Sequence, residues 1–214
     1  MQISPSILTC DYAKMGEELK FVERSGVDMV HLDVMDGVFV PNLSFGPPVI
    51  KRLRPVTDLP FDVHLMMQYP DRLIDPFIDA GADIVNFHIE SDAPIADTIA
   101  HIKSRGKKAA LTVKPKTPVE DVFPYLDELA LVLIMTVEPG FGGQHFMADM
   151  LPKVEALVKE RERRGLDFVI EIDGGVNRDT AKACADAGCD VVVVGSAFFN
   201  DADAADLTRF VQSL

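Results

Sequence analysis

Two histidines and two aspartates have the types and spacing for chemistry. His31 and Asp33 lie in Val30-His31-Leu32-Asp33-Val34-Met35, His64 in Asp62-Val63-His64-Leu65-Met66, and Asp173 directly before Gly174-Gly175. In an extended strand successive side chains point to opposite faces. His31, Asp33 and Met35 therefore share one face, and Val30, Leu32 and Val34 the other. An ionised carboxylate on a buried face has to be paired or neutralised. One divalent cation would satisfy His31, Asp33, His64 and Asp173 together. Two imidazole nitrogens and two carboxylate oxygens suit Zn²⁺ or a similar first-row ion, with Fe²⁺, Mn²⁺ and Co²⁺ accepted by the same donors. The plainer alternative is a pair of structural ion pairs, His31 with Asp33 and His64 with Asp173.

These residues need strands that end at a common place. Short apolar runs supply eight candidates: Gln2–Leu8, Met29–Val34, Phe61–Met66, Ile84–His88, Ala109–Val113, Leu131–Thr136, Phe168–Asp173 and Asp190–Val194. Amphipathic stretches alternate with them, among them Tyr12–Arg24, Pro70–Ala80, Ile95–Ser104, Pro118–Tyr125, Met150–Arg163 and Arg178–Ala187. Near-continuous apolar strands alternating with helices imply a parallel sheet joined by crossovers. Gly26, Gly81, Gly106, Gly165 and Gly188 follow helical patterns, where a residue with positive φ ends a helix at low cost. A helix-Gly-x-Asp-strand unit recurs at Gly26-Val27-Asp28, Gly81-Ala82-Asp83 and Gly188-Cys189-Asp190. The expected fold is an α/β (β/α)8 TIM barrel, a single domain over residues 1–214. An open doubly wound sheet would want a glycine fingerprint after its first strand, and Leu8-Thr9-Cys10-Asp11 has none.

In such barrels catalytic side chains come from the C-terminal strand ends, where His31, Asp33, His64, Asp173 and Ser6 all fall. Glycines follow the last three strands, in Pro139-Gly140-Phe141-Gly142-Gly143-Gln144, Asp173-Gly174-Gly175 and Gly195-Ser196-Ala197. Such loops let backbone N–H groups approach a phosphate, and a helix N-terminus adds to the attraction. Met35, Met66 and Met135 sit at strand ends on the inward parity and would form a polarisable apolar lining that excludes water. Asp33 and Asp173, on the second and seventh strands of a ring, can approach a substrate from opposite faces. One would remove a proton beside a carbonyl and the other return one to the opposite face, inverting that carbon. The cation would stabilise the intervening enediolate. His88 reads better as a core histidine than as a group at the mouth, and Lys114 better as a surface lysine. His101 reads as helix surface and His145 as loop, and Lys159–Arg164 as a solvated helix end.

Composition narrows the functional class. The 214 residues are 48% hydrophobic and 26% charged, enough for a sizeable core and unlike a disordered chain. A net charge of −13 argues against a nucleic-acid partner. No uncharged apolar run reaches the roughly 20 residues a bilayer requires, and Met1-Gln2-Ile3-Ser4-Pro5 lacks the pattern of a signal peptide. Three cysteines without metal-ligand spacing point to reduced thiols and a cytoplasmic protein.

Five segments together resemble the ribulose-phosphate 3-epimerase family: Ser4-Pro5-Ser6-Ile7-Leu8, His31 through Asn42, Asp62 through Met66, Met135 through Gln144, and Asp173 through Val176. The similarity runs from Ile3 to about Phe199. It implies a barrel of the ribulose-phosphate-binding type and reversible conversion of D-ribulose 5-phosphate to D-xylulose 5-phosphate in the pentose phosphate pathway. It implies one divalent metal per subunit on His31, Asp33, His64 and Asp173, with Asp33 and Asp173 as the acid/base pair. Ser6 and His64 would touch the sugar, and Gly140, Phe141, Gly142, Gly143, Gly174, Gly175, Gly195 and Ser196 the phosphate end. Met35, Met66 and Met135 would cap the enediolate. The resemblance also implies a homo-oligomer, a dimer or a hexamer. Two rivals remain: an epimerase of the six-carbon D-allulose 6-phosphate, and a non-catalytic sugar-phosphate-binding barrel.

Overall fold

The computed structural model describes all 214 residues. Eight parallel strands form one sheet: β1 (Gln2–Pro5), β2 (Val30–Met35), β3 (Phe61–Met66), β4 (Ile84–His88), β5 (Lys108–Val113), β6 (Leu131–Met135), β7 (Val169–Asp173) and β8 (Val191–Val194). Each strand pairs in parallel with the next from β2 to β8, and β8 pairs with β1. A bridge between Ser6 and His31 brings β1 up to β2, so the sheet nearly closes into the expected barrel. The helices are α1 (Met15–Arg24), α2 (Pro47–Leu53), α3 (Ile74–Ala80), α4 (Ile95–Ser104), α5 (Leu151–Arg164), α6 (Arg178–Asp186), α7 (Ser196–Phe199) and α8 (Ala204–Gln212).

Several boundaries depart from the periodicity. The first strand stops at Pro5, because Ser6 accepts the Leu8 N–H and turns Ile7–Thr9 into a 3-10 segment. The stretches opening at Tyr12 and Pro70 begin as 3-10 turns and become α-helical only at Met15 and Ile74. The segment expected as a helix over Pro118–Tyr125 is 3-10 throughout, over Val119–Glu128. Pro124 inside it has no N–H to give to a regular α-helix. Helices α2 and α8 were not singled out by their pattern. α2 is only seven residues long and opens on Pro47-Pro48, which suits a first turn but hides the periodicity.

The apolar residues divide into two cores. One lies between barrel and helices and takes outward-facing side chains such as Leu32, Val63, Leu65, Phe87, Leu111 and Ile172. The other plugs the barrel interior with Met29, Ile84, Ala110, Leu131, Leu133, Met135, Val137 and Val191. Above and beside that plug the inward positions are polar: Ser4, His31, Asp62, Asn86, Thr112 and Glu171 are all fully buried.

Two long loops, Asp36–Gly46 and Thr136–Met147, rise over the C-terminal strand ends. The first is held by Asp36, whose carboxylate accepts the N–H groups of Val38, Phe39 and Gln68. Asn42 Nδ2 donates to the Gly140 carbonyl at 2.8 Å and ties the two loops together. Ser44 donates to the Asp33 carbonyl and accepts the Met35 N–H, which fixes the strand end that carries Asp33.

Leu111 is fully buried on the outward face of β5, away from the His/Asp group. Leu111→Ala is expected to cost about 2–5 kcal/mol in urea unfolding, with turnover of the folded protein unchanged at low temperature.

Candidate functional site

The β2–β3 register sets His31 beside Asp62 and Asp33 beside His64. Alternation then points His31, Asp33 and His64 into the barrel, and Asp173 reaches the same point from β7. One donor atom from each of the four lies within 4.8 Å of the others. His31 Nε2 is 3.2 Å from His64 Nδ1. Asp33 Oδ1 is 3.4 Å from the former and 3.2 Å from the latter. Asp173 Oδ2 is 4.0 Å from His64 Nδ1. The other ring nitrogens are engaged elsewhere: His31 Nδ1 meets Asp62 at 2.7 Å, and His64 Nε2 meets His88 Nε2 at 2.9 Å. Two imidazole nitrogens facing one point with two carboxylates is a donor set that could hold one metal ion.

The electrostatics show what such an ion would relieve. Burial alone would raise the Asp33 pKa, but His31 and His64 outweigh it and hold the carboxyl far below its usual range. His31 answers in kind: burial works against its charge, yet Asp33 and Asp62 keep it well above the ordinary histidine value. For Asp173 the same two histidines are outweighed. Burial, and then the charge of Asp33, push its pKa up to about 6. Two carboxylates compete here for too little positive charge, and a cation between them would favour both ionised forms.

Ser6 donates its hydroxyl to Asp33 Oδ2. A cavity of about 260 Å³ opens above the group, lined by Ser6, Asp33, Met66, Met135 and Asp173 at one end. The other end is lined by Gly140, Phe141, Gly142, Gly143, Gly174, Gly175, Gly195 and Ser196. His31 and His64 are fully buried beneath this cavity. The methionines divide: Met66 and Met135 face the cavity, whereas Met35 packs with Val40 and Met66 behind it. The glycine end contains no Lys or Arg. A Cβ on Gly175, at φ +68°, would fall 2.5 Å from the Phe146 nitrogen, and one on Gly174, at φ +123°, 2.6 Å from Val137. The backbone can approach its neighbours this closely only with glycine there. Helix α7 is a single turn, Ser196–Phe199, so free N–H groups, more than a summed dipole, face this end.

Some residues of the site escaped the sequence. Asp62 and Glu171 sit two residues before His64 and Asp173 on the same inward parity, and alternation could have found both. Burial, and then Asp62, raise the Glu171 pKa well above the carboxylate range. His145, expected only as loop, lines the cavity, and His88 is core as expected but bonds directly to His64. Lys114 is not free surface: its ammonium lies 3.4 Å from the Phe39 ring centroid.

A model described as the ribulose-phosphate 3 epimerase family matches residues 2–199. A ribulose-phosphate 3-epimerase of Bacillus subtilis (strain 168) is 47% identical over 204 residues, covering 95% of this chain and 94% of the relative. One of Treponema pallidum (strain Nichols) is 48% identical over 201 residues, covering 92% and 91%. Among solved structures, 3-hexulose-6-phosphate synthase from Salmonella typhimurium matches with a TM-score of 0.72 at 21% identity, over 100% of this chain and 97% of that one. KGPDC from Streptococcus mutans matches at 0.73 and 13% identity, over 99% and 95%. These structural matches speak to the fold alone. No helix is long and apolar enough to cross a membrane.

The raised Asp173 pKa has a consequence for stability. Above about pH 6 its ionised form is unfavourable in the metal-free fold, and the penalty lifts as pH falls through that value. Asp173→Asn, uncharged throughout, is therefore expected to raise the Tm of metal-free protein at pH 8. The gain should begin to shrink as pH falls below about 6 and be gone only below about pH 4, where the unfolded carboxyl is protonated as well, as followed by thermal unfolding; a gain independent of pH would contradict it.

Proposed function

The chain belongs to the ribulose-phosphate 3-epimerase family, and on that premise we propose that it epimerises D-ribulose 5-phosphate and D-xylulose 5-phosphate at C3, reversibly, in the pentose phosphate pathway. Family membership makes it an epimerase, and so an isomerase. The observation that carries the finer reading is the placement of Asp33 and Asp173 on β2 and β7, facing one cavity beside a donor set for a divalent cation.

His31, Asp33, His64 and Asp173 fit a divalent cation, since their four donors converge and the two acids repel when none balances them. The bound ion, Zn²⁺, Fe²⁺, Mn²⁺ or Co²⁺, would offset negative charge developing on the substrate's two oxygens. Every other part falls to the chain. Asp33 and Asp173 hold and move the C3 proton, one from each face. Ser6, which donates to Asp33 Oδ2, aims that carboxylate and touches the sugar, whereas His64, expected to touch the sugar too, is fully buried with Nε2 on His88 and does not line the cavity. Met66 and Met135, with Met35 behind them, keep water from the planar carbon between the two transfers. Backbone N–H groups of Gly140–Gly143, Gly174, Gly175, Gly195 and Ser196 take the phosphate at the far end of the cavity. A cytoplasmic homo-oligomer is the form proposed, in keeping with the three free thiols.

The cavity also speaks against a module that only binds, in which two opposed acids would serve no purpose. Incubation with D-ribulose 5-phosphate in deuterated water tests the epimerase reading. Xylulose 5-phosphate carrying deuterium at C3 is expected, formed faster than the epimer of D-allulose 6-phosphate. In Asp173→Asn the rate should fall by about 10² or more. Product that retains protium at C3, or faster turnover of the six-carbon sugar, would overturn the assignment.

A further inference from the structure

His88 and Glu90 lie outside the His/Asp group, yet they connect to it in one line. His64 Nε2 meets His88 Nε2 at 2.9 Å, and His88 Nδ1 meets Glu90 Oε2 at 3.1 Å. Both rings are fully buried and nearly parallel, with centroids 4.9 Å apart. A neutral imidazole carries one proton, so each ring has one donor nitrogen and one acceptor nitrogen. The direction of the chain follows from its outer end. Glu90 Oε1 accepts the Lys114 N–H at 2.8 Å, as a carboxylate does, which leaves Oε2 to accept from His88. The His88 proton is then on Nδ1, and its Nε2 is an acceptor. The proton between the rings has to belong to His64 Nε2, which leaves the lone pair of His64 on Nδ1. That nitrogen is the one facing His31 and Asp33.

We propose that His88 and Glu90 are positioning residues for the metal site, a hydrogen-bonded relay that fixes the His64 tautomer and ring angle so that Nδ1 presents its lone pair. This rests on the reading that His64 is a metal ligand. The other imidazole is held in the same way with one link fewer, since His31 Nδ1 bonds Asp62 directly. Outer carboxylates behind a ligating histidine orient it and raise its basicity. The intervening histidine extends that reach to a carboxylate on the loop after β4. Two loops converge over the His88 end of the relay. Phe39, from the loop after β2, packs on the His88 ring with centroids 4.8 Å apart. Lys114, from the end of β5, sits against Phe39, and its carbonyl is held by the Lys153 ammonium at 2.9 Å.

Two measurements test the relay. Ring ¹⁵N spectra of metal-free protein read the tautomers without any metal: His88 protonated on Nδ1 and His64 on Nε2 are expected, and the reverse pair overturns the proposal. Co²⁺ affinity, by competition with a chelator, reads the consequence. Glu90→Gln and His88→Leu should each weaken it by about 10–100-fold. His88→Gln, whose amide oxygen can accept from His64, should recover most of the loss. Adding Glu90→Gln to His88→Leu should cost little more, because the links act in series. Affinities within twofold of the starting protein in Glu90→Gln and His88→Leu would overturn the relay, and so would full additivity. A different result marks failure of the metal reading itself: Co²⁺ bound no more tightly by the unaltered chain than by Asp173→Asn, in which case the tautomers alone judge the relay.

Discussion

A carboxylate stripped of water must find a proton, a donor or a counter-charge, because the cost of leaving it bare exceeds what the rest of a small fold can offset. The interior of this barrel holds four: Asp33, Asp62, Glu171 and Asp173. Each meets the constraint differently. Asp33 takes the Ser6 hydroxyl and two imidazoles. Asp62 takes His31. Glu171, with no hydrogen-bond partner for either oxygen, is the group pressed hardest towards its protonated form. Asp173 stands at the rim of the cavity, where burial and Asp33 raise it only part of the way. In the metal-free fold this gradation leaves Asp33 firmly ionised and Asp173 more readily protonated.

The scaffold that maintains this arrangement is the parallel register. A shift of one residue between β2 and β3 would turn His31 and Asp33 outward among the helices and bring Leu32 and Val34 in. Two sets of contacts oppose such a slip. Leu32, Val63 and Leu65 fill the outer core with no exposure. Ser44 bonds both the carbonyl of Asp33 and the N–H of Met35, and so binds the loop to that strand end. The loop carrying Ser44 also carries Phe39, so the segment that fixes Asp33 also covers the His88 ring.

Alternation made the barrel and the four converging side chains legible in the sequence, because period two is strict and short apolar strands leave little ambiguity. Reactive residues at the C-terminal strand ends carry the stronger signal, and Asp62 and Glu171 lie one inward position deeper. The helices were read less well where local chemistry overrode periodicity, as at Pro124 in the 3-10 segment and Pro47-Pro48 at the start of α2. His88 shows a different limit. Its sequence context offers a core histidine and a group at the site as alternatives, yet the ring is buried and bonded to His64 at once. Only a distance between two strands could join those readings.

The net charge of −13 bears on how an anionic ligand is accommodated. The cations of this chain are largely spent on its own exterior. Arg105 binds Asp75 and Asp79, Arg178 binds Asp201 and Asp206, and Arg161 and Arg164 hold Asp190 and Asp127. None reaches the glycine-lined end of the cavity. A phosphate there would meet neutral N–H donors at fixed positions. Their attraction acts over hydrogen-bond distances, while repulsion from exterior acids is screened beyond about 8–10 Å at physiological salt. Short-range donors can therefore outweigh a larger but distant charge of the wrong sign. The acidic surface then slows approach more than it weakens binding, and the arrangement leaves positive charge out of the cavity except where the paired acids call for a cation.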